Sequence, residues 1–283
     1  GGTGDDTLEG NDPARPDPIS IENTISQSHK AVDISETYYA IGRPVVDSFS
    51  GQVDIYDRAT DTLVRSITNP LNPDNGSFGQ DLSISGDKII ISAHEANVSG
   101  TDTGEAYIFD ITTGALLHTL ANPEPDNGER FGNEVYMQGD YAIVASLWSD
   151  DSGSAQGGQA YVYDTNTGAL LHTLVDQSAF NAQFGADVTI GGDKAYIGNY
   201  NNEIQVYDLE TGNYLNTFSY PGADSSSSFG RAVAANSQYV LIGARADDVD
   251  SAASAGRVYV YDASSNVLLH TIDSPSIELS EGF

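Results

Sequence analysis

Hydrophobic positions along this chain alternate or run in short blocks rather than tracing a helical face. Between residues 131 and 183, VYMQ precedes Gly139-Asp140 and YAIVAS follows it. A long loop then leads to QAYVYD, Thr167-Gly168 and ALLHTL. Short β-branched and aromatic blocks bounded by turn residues predict four strands. Gly86-Asp87, Gly139-Asp140 and Gly192-Asp193 separate the first two strands. There Gly supplies positive φ and the Asp side chain closes the turn. The runs Asp110–Gly114, Asp164–Gly168 and Asp208–Gly212 predict the hairpin between strands three and four, where a turn followed by a left-handed Gly suits the connection. No sustained helical period is present.

The unit recurs. Phe-Gly stands at Phe78-Gly79, Phe131-Gly132, Phe184-Gly185 and Phe229-Gly230, at steps of 53, 53 and 45 residues. An aromatic followed by Asp stands at Tyr56, Phe109, Tyr163, Tyr207 and Tyr261, at steps of 53, 54, 44 and 54. Both markers place one short copy fourth. Periods of this size belong to repeat architectures, and four antiparallel strands per unit is the arithmetic of a β-propeller. The expected fold is all-β: a propeller of five four-stranded blades over residues 19–283, preceded by a separate segment at 1–18. The alternative is part of a six- or seven-bladed ring, with ISIENT (Ile19–Thr24) as a leftover strand. In the first repeat Ser28-His29 takes the place of Phe-Gly, and Phe283 lies 54 residues after Phe229. Phe283 is therefore expected to fill the vacant position and close the ring.

The pattern FG-x-x-(V/L), then GD, then A-Y-(V/I)-(Y/F)-D resembles the short bacterial form of the FG-GAP repeat, related to the propellers of integrin α subunits. The resemblance spans roughly Lys30 to Phe283. It implies the fold more strongly than a function, because propellers host lectins, scaffolds and enzymes alike. Integrin-type repeats often carry a D-x-D-x-D-G calcium loop between the first two strands. Here that connection is only Gly-Asp, so those calcium sites do not carry over.

Charge narrows the partners. The 283 residues hold 41 acidic and 11 basic side chains, a net charge of −30. Such a surface repels nucleic-acid phosphates and anionic lipid and favours divalent cations. There is no cysteine, so no disulfide framework. No apolar run approaches the ~20 residues of a membrane span, so membrane insertion is not expected. The chain begins without Met, which reads as a processed form or a piece of a larger multidomain protein.

Gly1–Glu9 reads GGTGDDTLE and is similar to the G-G-x-G-x-D-x-(apolar)-x nonapeptide of RTX proteins, which bind calcium in stacked turns. The resemblance implies that Asp6 faces the ion and Leu8 the interior, and that the protein leaves a bacterium by type I secretion. A single copy cannot stack, so a Gly/Asp leader is the competing reading. Residues 11–18 form a Pro-rich linker.

No metalloprotease helix, P-loop, nucleophile elbow or dinucleotide fingerprint is present. His118, His172 and His270 occupy the same place in LLHT of different copies, which points to packing or a hairpin hydrogen bond. His94 beside Glu95 offers an acid–base pair, though adjacent strand-end residues usually diverge. The acidic loops Asp150-Asp151 and Asp247-Asp248-x-Asp250 present carboxylates at a spacing that suits Ca²⁺, against the plainer reading of Asx turns on an acidic surface.

The loops between strands two and three differ most among copies. They begin at Arg43, His94, Trp148, Tyr200 and Arg245. In a propeller these loops share an edge with the connections between blades, and variable loops on a rigid frame commonly bind ligands. Aromatic faces beside Arg and Asn suit sugars. The expected function is a secreted or cell-surface adhesion module that binds a glycan or protein and does not catalyse. A carbohydrate-active enzyme such as a polysaccharide lyase, using His94 or Tyr200, is one alternative; a ligand-free spacer is another.

Overall fold

The computed structural model describes residues 31–70, 76–149, 157–178, 182–222, 227–249 and 254–274. They form five antiparallel four-stranded sheets, each in chain order from inner to outer strand. The first blade holds β1 (Val32–Ile34), β2 (Tyr38–Arg43), β3 (Gln52–Asp57) and β4 (Leu63–Thr68). The second holds β5 (Leu82–Ser85), β6 (Lys88–Ala93), β7 (Glu105–Asp110) and β8 (Leu116–Ala121). The third is β9 (Phe131–Gln138), β10 (Tyr141–Ser146), β11 (Gln159–Asp164) and β12 (Leu170–Val175). The fourth is β13 (Val188–Gly191), β14 (Lys194–Gly198), β15 (Glu203–Asp208) and β16 (Tyr214–Ser219). The fifth is β17 (Phe229–Ala235), β18 (Tyr239–Ala244), β19 (Arg257–Asp262) and β20 (Leu268–Asp273). A four-residue helix, α1 (Val46–Phe49), lies in the loop after β2. The all-β fold with five four-stranded blades is as the repeat predicts.

Local chemistry explains each hairpin. Gly86, Gly139 and Gly192 adopt φ of 60°, 59° and 68° in the first turn. In the second, Asp164 accepts hydrogen bonds from Asn166 N and Thr167 N, both at 2.8 Å. Asp110 and Asp208 bind Thr113 and Thr211 in the same way. These donors hold the turn carboxylates below the usual Asp range.

Both faces of an inner blade are apolar, so the core lies between blades rather than within one. The buried hydrophobics fall into four main clusters, each shared by two consecutive blades. The repeated Phe is the centre of each: Phe78, Phe131, Phe184 and Phe229 are 0% exposed. Phe131 packs 5.5 Å from Tyr161 and edge-on to Tyr163 at 6.3 Å. The neighbouring Gly permits close backbone approach, as at Gly79, where a Cβ would meet the Val53 side chain at 2.9 Å. The blades are also clasped at their outer edges. Arg65 donates to the carbonyls of Ile111 and Thr112, and His118 and His172 bond the carbonyls of Asn166 and Glu210 in the next blade. His118 and His172 of the LLHT runs are thus structural, bridging blades rather than closing their own hairpin, while His270 is exposed.

Among the described residues no fifth cluster joins the last blade to the first. Val32 and Ile34 on the first blade are 73% and 60% exposed, and Leu241 and Ile272 on the fifth are 39% and 47% exposed. The expected closure between these two blades is not formed: the described array is open. Phe283, assigned to the closing position, and Ile19–Thr24 lie outside the described residues.

Candidate functional site

Antiparallel order places every loop between strands two and three on one edge of the array, with the connections that lead into the next blade. Hydrogen bonds join the two loop sets there: Glu95 N to Gly76 O at 3.4 Å, and Tyr200 N to Ala182 O at 2.6 Å.

The five residues expected to bind ligand are placed differently. Tyr200, in the fourth blade, is 39% exposed. The guanidinium carbon of Arg231 sits 3.9 Å from its ring centroid, a cation–π contact that fixes the ring. Trp148, one blade earlier, is half-buried, and Arg245, one blade later, is exposed. His94 is only 6% exposed, with Nε2 3.7 Å from Glu95 Oε1. Glu95 in turn accepts from Ser77 Oγ at 2.6 Å and lies 3.9 Å from Arg130. His94 is thus largely withdrawn from solvent at this edge. Arg43 is paired with the buried Asp54 at 3.0 Å. Arg43 lies in the first blade and Arg245 in the fifth, and no buried apolar cluster joins these two blades among the described residues.

Two further contributors to this edge were missed in sequence. Arg231 follows Phe229-Gly230 in a strand and is not a loop residue, so the variable-loop argument passed it by. Phe49 ends α1, is 50% exposed and holds φ 72°. A bulky side chain in the left-handed region is uncommon and costs backbone strain. Its exposure on the loop edge carries no sequence signal, because the other copies have no aromatic counterpart to compare.

The acidic loops resolve in part. Asp247 is 2% exposed and accepts hydrogen bonds from the hydroxyls of Tyr220 and Tyr259, with Arg257 Nη1 at 3.3 Å. Its oxygens already face two phenols and a cation, a donor set unlike a calcium shell. Asp248 accepts from Ser254 N at 2.8 Å. Among the described residues no group of three or more His, Cys, Asp or Glu side chains is arranged to hold a metal ion. Asp6, Asp150, Asp151 and Asp250 lie outside the described residues.

At the hub, the inner strands enclose a cavity of about 250 Å³ lined in part by Asp33, Asp81, Glu134 and Asp187. Three of these carboxylates each accept a backbone N–H from the following blade: Asp33 from Ile84 at 2.6 Å, Asp81 from Val135 at 2.7 Å, and Asp187 from Val233 at 2.6 Å. Burial pushes Asp81 up to about 6 and Asp187 up to about 7, against the lowering effect of those N–H donors. The charges of Asp33 on Asp81, and of Asp81 on Asp187, add to the rise. These groups staple blades together at the hub.

Residues 73–109 and 119–163 match the model of the FG-GAP repeat. No curated protein sequence matches the chain. Among solved structures the fold is similar to a crystal structure of the computationally designed Ika8 protein, with 18% identity and a TM-score of 0.56. The match covers 86% of this chain and 61% of that one, so this chain spans about three fifths of the designed protein's length. At that identity the likeness concerns fold alone. FG-GAP repeats are typical of integrin-like ligand-binding modules and of extracellular and cell-surface proteins. No helix among the described residues is long and apolar enough to cross a membrane. The repeat match falls within the second and third blades, and the five four-stranded sheets are those of a β-propeller-like fold.

Proposed function

We propose that this chain is a secreted or cell-surface binding module that takes a carboxylate-bearing glycan or protein on the loop edge of its third to fifth blades. The observation that carries the reading is the Tyr200 ring, exposed yet fixed by Arg231 from the next blade. Trp148 and Arg245 start corresponding loops on either side. An aromatic face beside exposed guanidinium groups, on a body of net charge −30, suits an acidic sugar or an acidic peptide: the ring covers apolar surface and the cations meet carboxylate. The burial of His94 speaks against the lyase alternative that would use it. Membership in a larger multidomain protein and export by type I secretion accompany this reading as proposals, and so does calcium held by the segments around Asp6 and Asp150-Asp151.

The test is a screen of uronic-acid and sialic-acid glycans and acidic peptides, with and without calcium. Any ligand found is then measured against Trp148→Ala, Tyr200→Ala, Arg245→Ala and, on the opposite edge, Asp140→Ala. Weaker binding in the first three with Asp140→Ala unchanged supports the site. Equal affinity for all four places the ligand elsewhere. A screen without a binder favours the spacer, and turnover of a polysaccharide would replace binding with catalysis.

A further inference from the structure

The loop edge and the hub meet on one strand. Asp81, Glu134 and Asp187 each stand three residues after the repeated Phe, and the fifth blade has Ala232 at that place, one residue beyond Arg231. Arg231 is therefore one residue from the carboxylate level of the hub. β17 is irregular there. Its register against β18 runs Phe229↔Ala244 and then Val233↔Ile242, so Gly230, Arg231 and Ala232 bulge opposite Gly243 alone. A bulge takes its residues out of the ladder and re-aims their side chains.

Arg231 is thus placed by the two anchors of the bulge rather than by strand pairing. Phe229 N donates to Asn202 Oδ1 at 3.1 Å, in the loop that carries Tyr200. Val233 N donates to Asp187 Oδ2 at 2.6 Å. Arg231 itself is exposed and lays its guanidinium over the Tyr200 ring. A hub carboxylate and a loop-edge amide hold the same short segment.

Asp187 is set among like charges. The same cavity presents Asp33 from β1, Asp81 from the residue before β5 and Glu134 from β9, and among the described residues no Lys, Arg or His lines it. The donors to Asp187 are amides, Val188 N at 2.9 Å and Val233 N. Asp187 titrates at about 7 and Asp81 at about 6, so the hub gains negative charge as pH rises through the neutral range.

Resting on the reading of the Tyr200–Arg231 face as the ligand edge, we propose that the hub carboxylates are a proton switch for it, with Asp187 coupling hub to edge. A proton gained in the hub tightens the hold on an acidic ligand. Electrostatics gives the sign. Two strand residues span about 7 Å, which puts Arg231 on the order of 10 Å from Asp187. An anionic hub at that distance opposes a carboxylate bound at the edge, and protonation removes the opposition. A unit charge that far away changes affinity by roughly threefold to tenfold at low salt. The coupling is reciprocal, so ligand binding draws a proton into the hub.

The chain has only eight Arg side chains, so nuclear magnetic resonance can follow the guanidinium carbon of Arg231, identified by the signal lost in Arg231→Lys. Without ligand, between about pH 5 and 8, the wild-type signal is expected to move with a midpoint at about 7. It should stay flat in Asp187→Asn. In Asp81→Asn, which removes a charge that raises Asp187, the midpoint should fall. Trigalacturonate is then titrated at pH 5 and pH 8. The wild type should bind it roughly threefold to tenfold more tightly at pH 5, with a smaller ratio for Asp187→Asn. A wild-type Arg231 signal indifferent to pH overturns the proposal. So does a midpoint that persists in Asp187→Asn, which assigns the titration to another group, and so does equal affinity at the two pH values. No binding at either pH with the Arg231 midpoint intact supports the link from Asp187 to Arg231 and instead rejects the acidic-ligand reading of the edge.

Discussion

Gly104 and Phe131, 27 residues apart in sequence, pair backbone to backbone in a parallel bridge that joins the second blade to the third. A Cβ at Gly104 would collide with the Phe131 carbonyl oxygen, and its φ of 77° is itself disfavoured for an L side chain. Gly104→Ala therefore combines backbone strain with a clash that only separation of the blades relieves, an expected loss of about 3 kcal/mol or more. Gly139→Ala is the control. It shares a positive φ, 59°, but a Cβ there meets nothing within 4 Å, so strain alone costs about 1–2 kcal/mol. Urea unfolding of the two variants separates the terms, and similar midpoints would show that the bridge is not under compression.

The hub carboxylates make stability depend on pH. Asp187 and Asp81 titrate near 7 and 6 in the fold, above their ordinary value of 3.8. The folded state thus holds the proton more tightly than the unfolded chain. The stability this confers is complete below about pH 4 and is lost as pH rises towards 7. Asp187→Asn keeps an oxygen to accept from Val233 and removes the titration. Its stability should change less between pH 4 and pH 7.5 than that of the wild type and exceed it at the upper end, by an amount on the order of 1 kcal/mol. Comparing variant with wild type at each pH cancels the repulsion of the other acidic groups. Parallel curves would mean that Asp187 does not carry a shifted proton.

The strands and their turns were legible because the middle three copies carry the whole instruction locally: alternating blocks, Gly-Asp at one hairpin and Asp-x-x-Thr-Gly at the other. The role of Phe131 was legible from recurrence alone. Closure was not. Identical blades pack the same way in an open or a closed array, and nothing in one repeat states how many complete the circle. The residues of the loop edge were legible only singly. Loop variability singled out Tyr200 and Trp148, but Arg231 reaches Tyr200 from the next blade, and such contacts leave no spacing signal. The surroundings of Asp247 were hidden for the same reason. Its hydroxyl partners are 27 residues before it, at Tyr220, and 12 after it, at Tyr259, so the local Asp-Asp-x-Asp pattern suggested an ion where the fold supplies phenols and Arg257.

That network gives a prediction about calcium. Replacing the Asp247 carboxylate by an amide leaves Arg257 with Asp273 at 2.5 Å and sets an NH₂ group where one of the two phenols, of Tyr220 or Tyr259, has its acceptor. Asp247→Asn should lower stability by about 2–4 kcal/mol, since breaking a buried charged network leaves its partners unsatisfied. The loss should be the same with excess calcium and with chelator. A loss that appears only when calcium is present would make Asp247 a ligand after all.

The Tyr200–Arg231 pair allows the binding edge to be dissected by chemistry. Tyr200→Phe keeps the ring and the cation–π contact and deletes the hydroxyl, whereas Tyr200→Ala removes both. If the ring face is what a ligand covers, Tyr200→Phe should lose less than about 1 kcal/mol of binding and Tyr200→Ala roughly 1–3 kcal/mol, the range for an anchoring aromatic. Arg231→Lys preserves charge but replaces the planar guanidinium that lies over the ring, so it tests positioning. Its effect should appear mainly as faster dissociation. Arg231→Ala should add a steeper decline of the association rate, because a cation is lost from a surface that an acidic ligand approaches against a net charge of −30. Stopped-flow kinetics at two salt concentrations distinguishes the cases. Tyr200→Phe as damaging as Tyr200→Ala would assign recognition to the hydroxyl, and the ring would then be only its support.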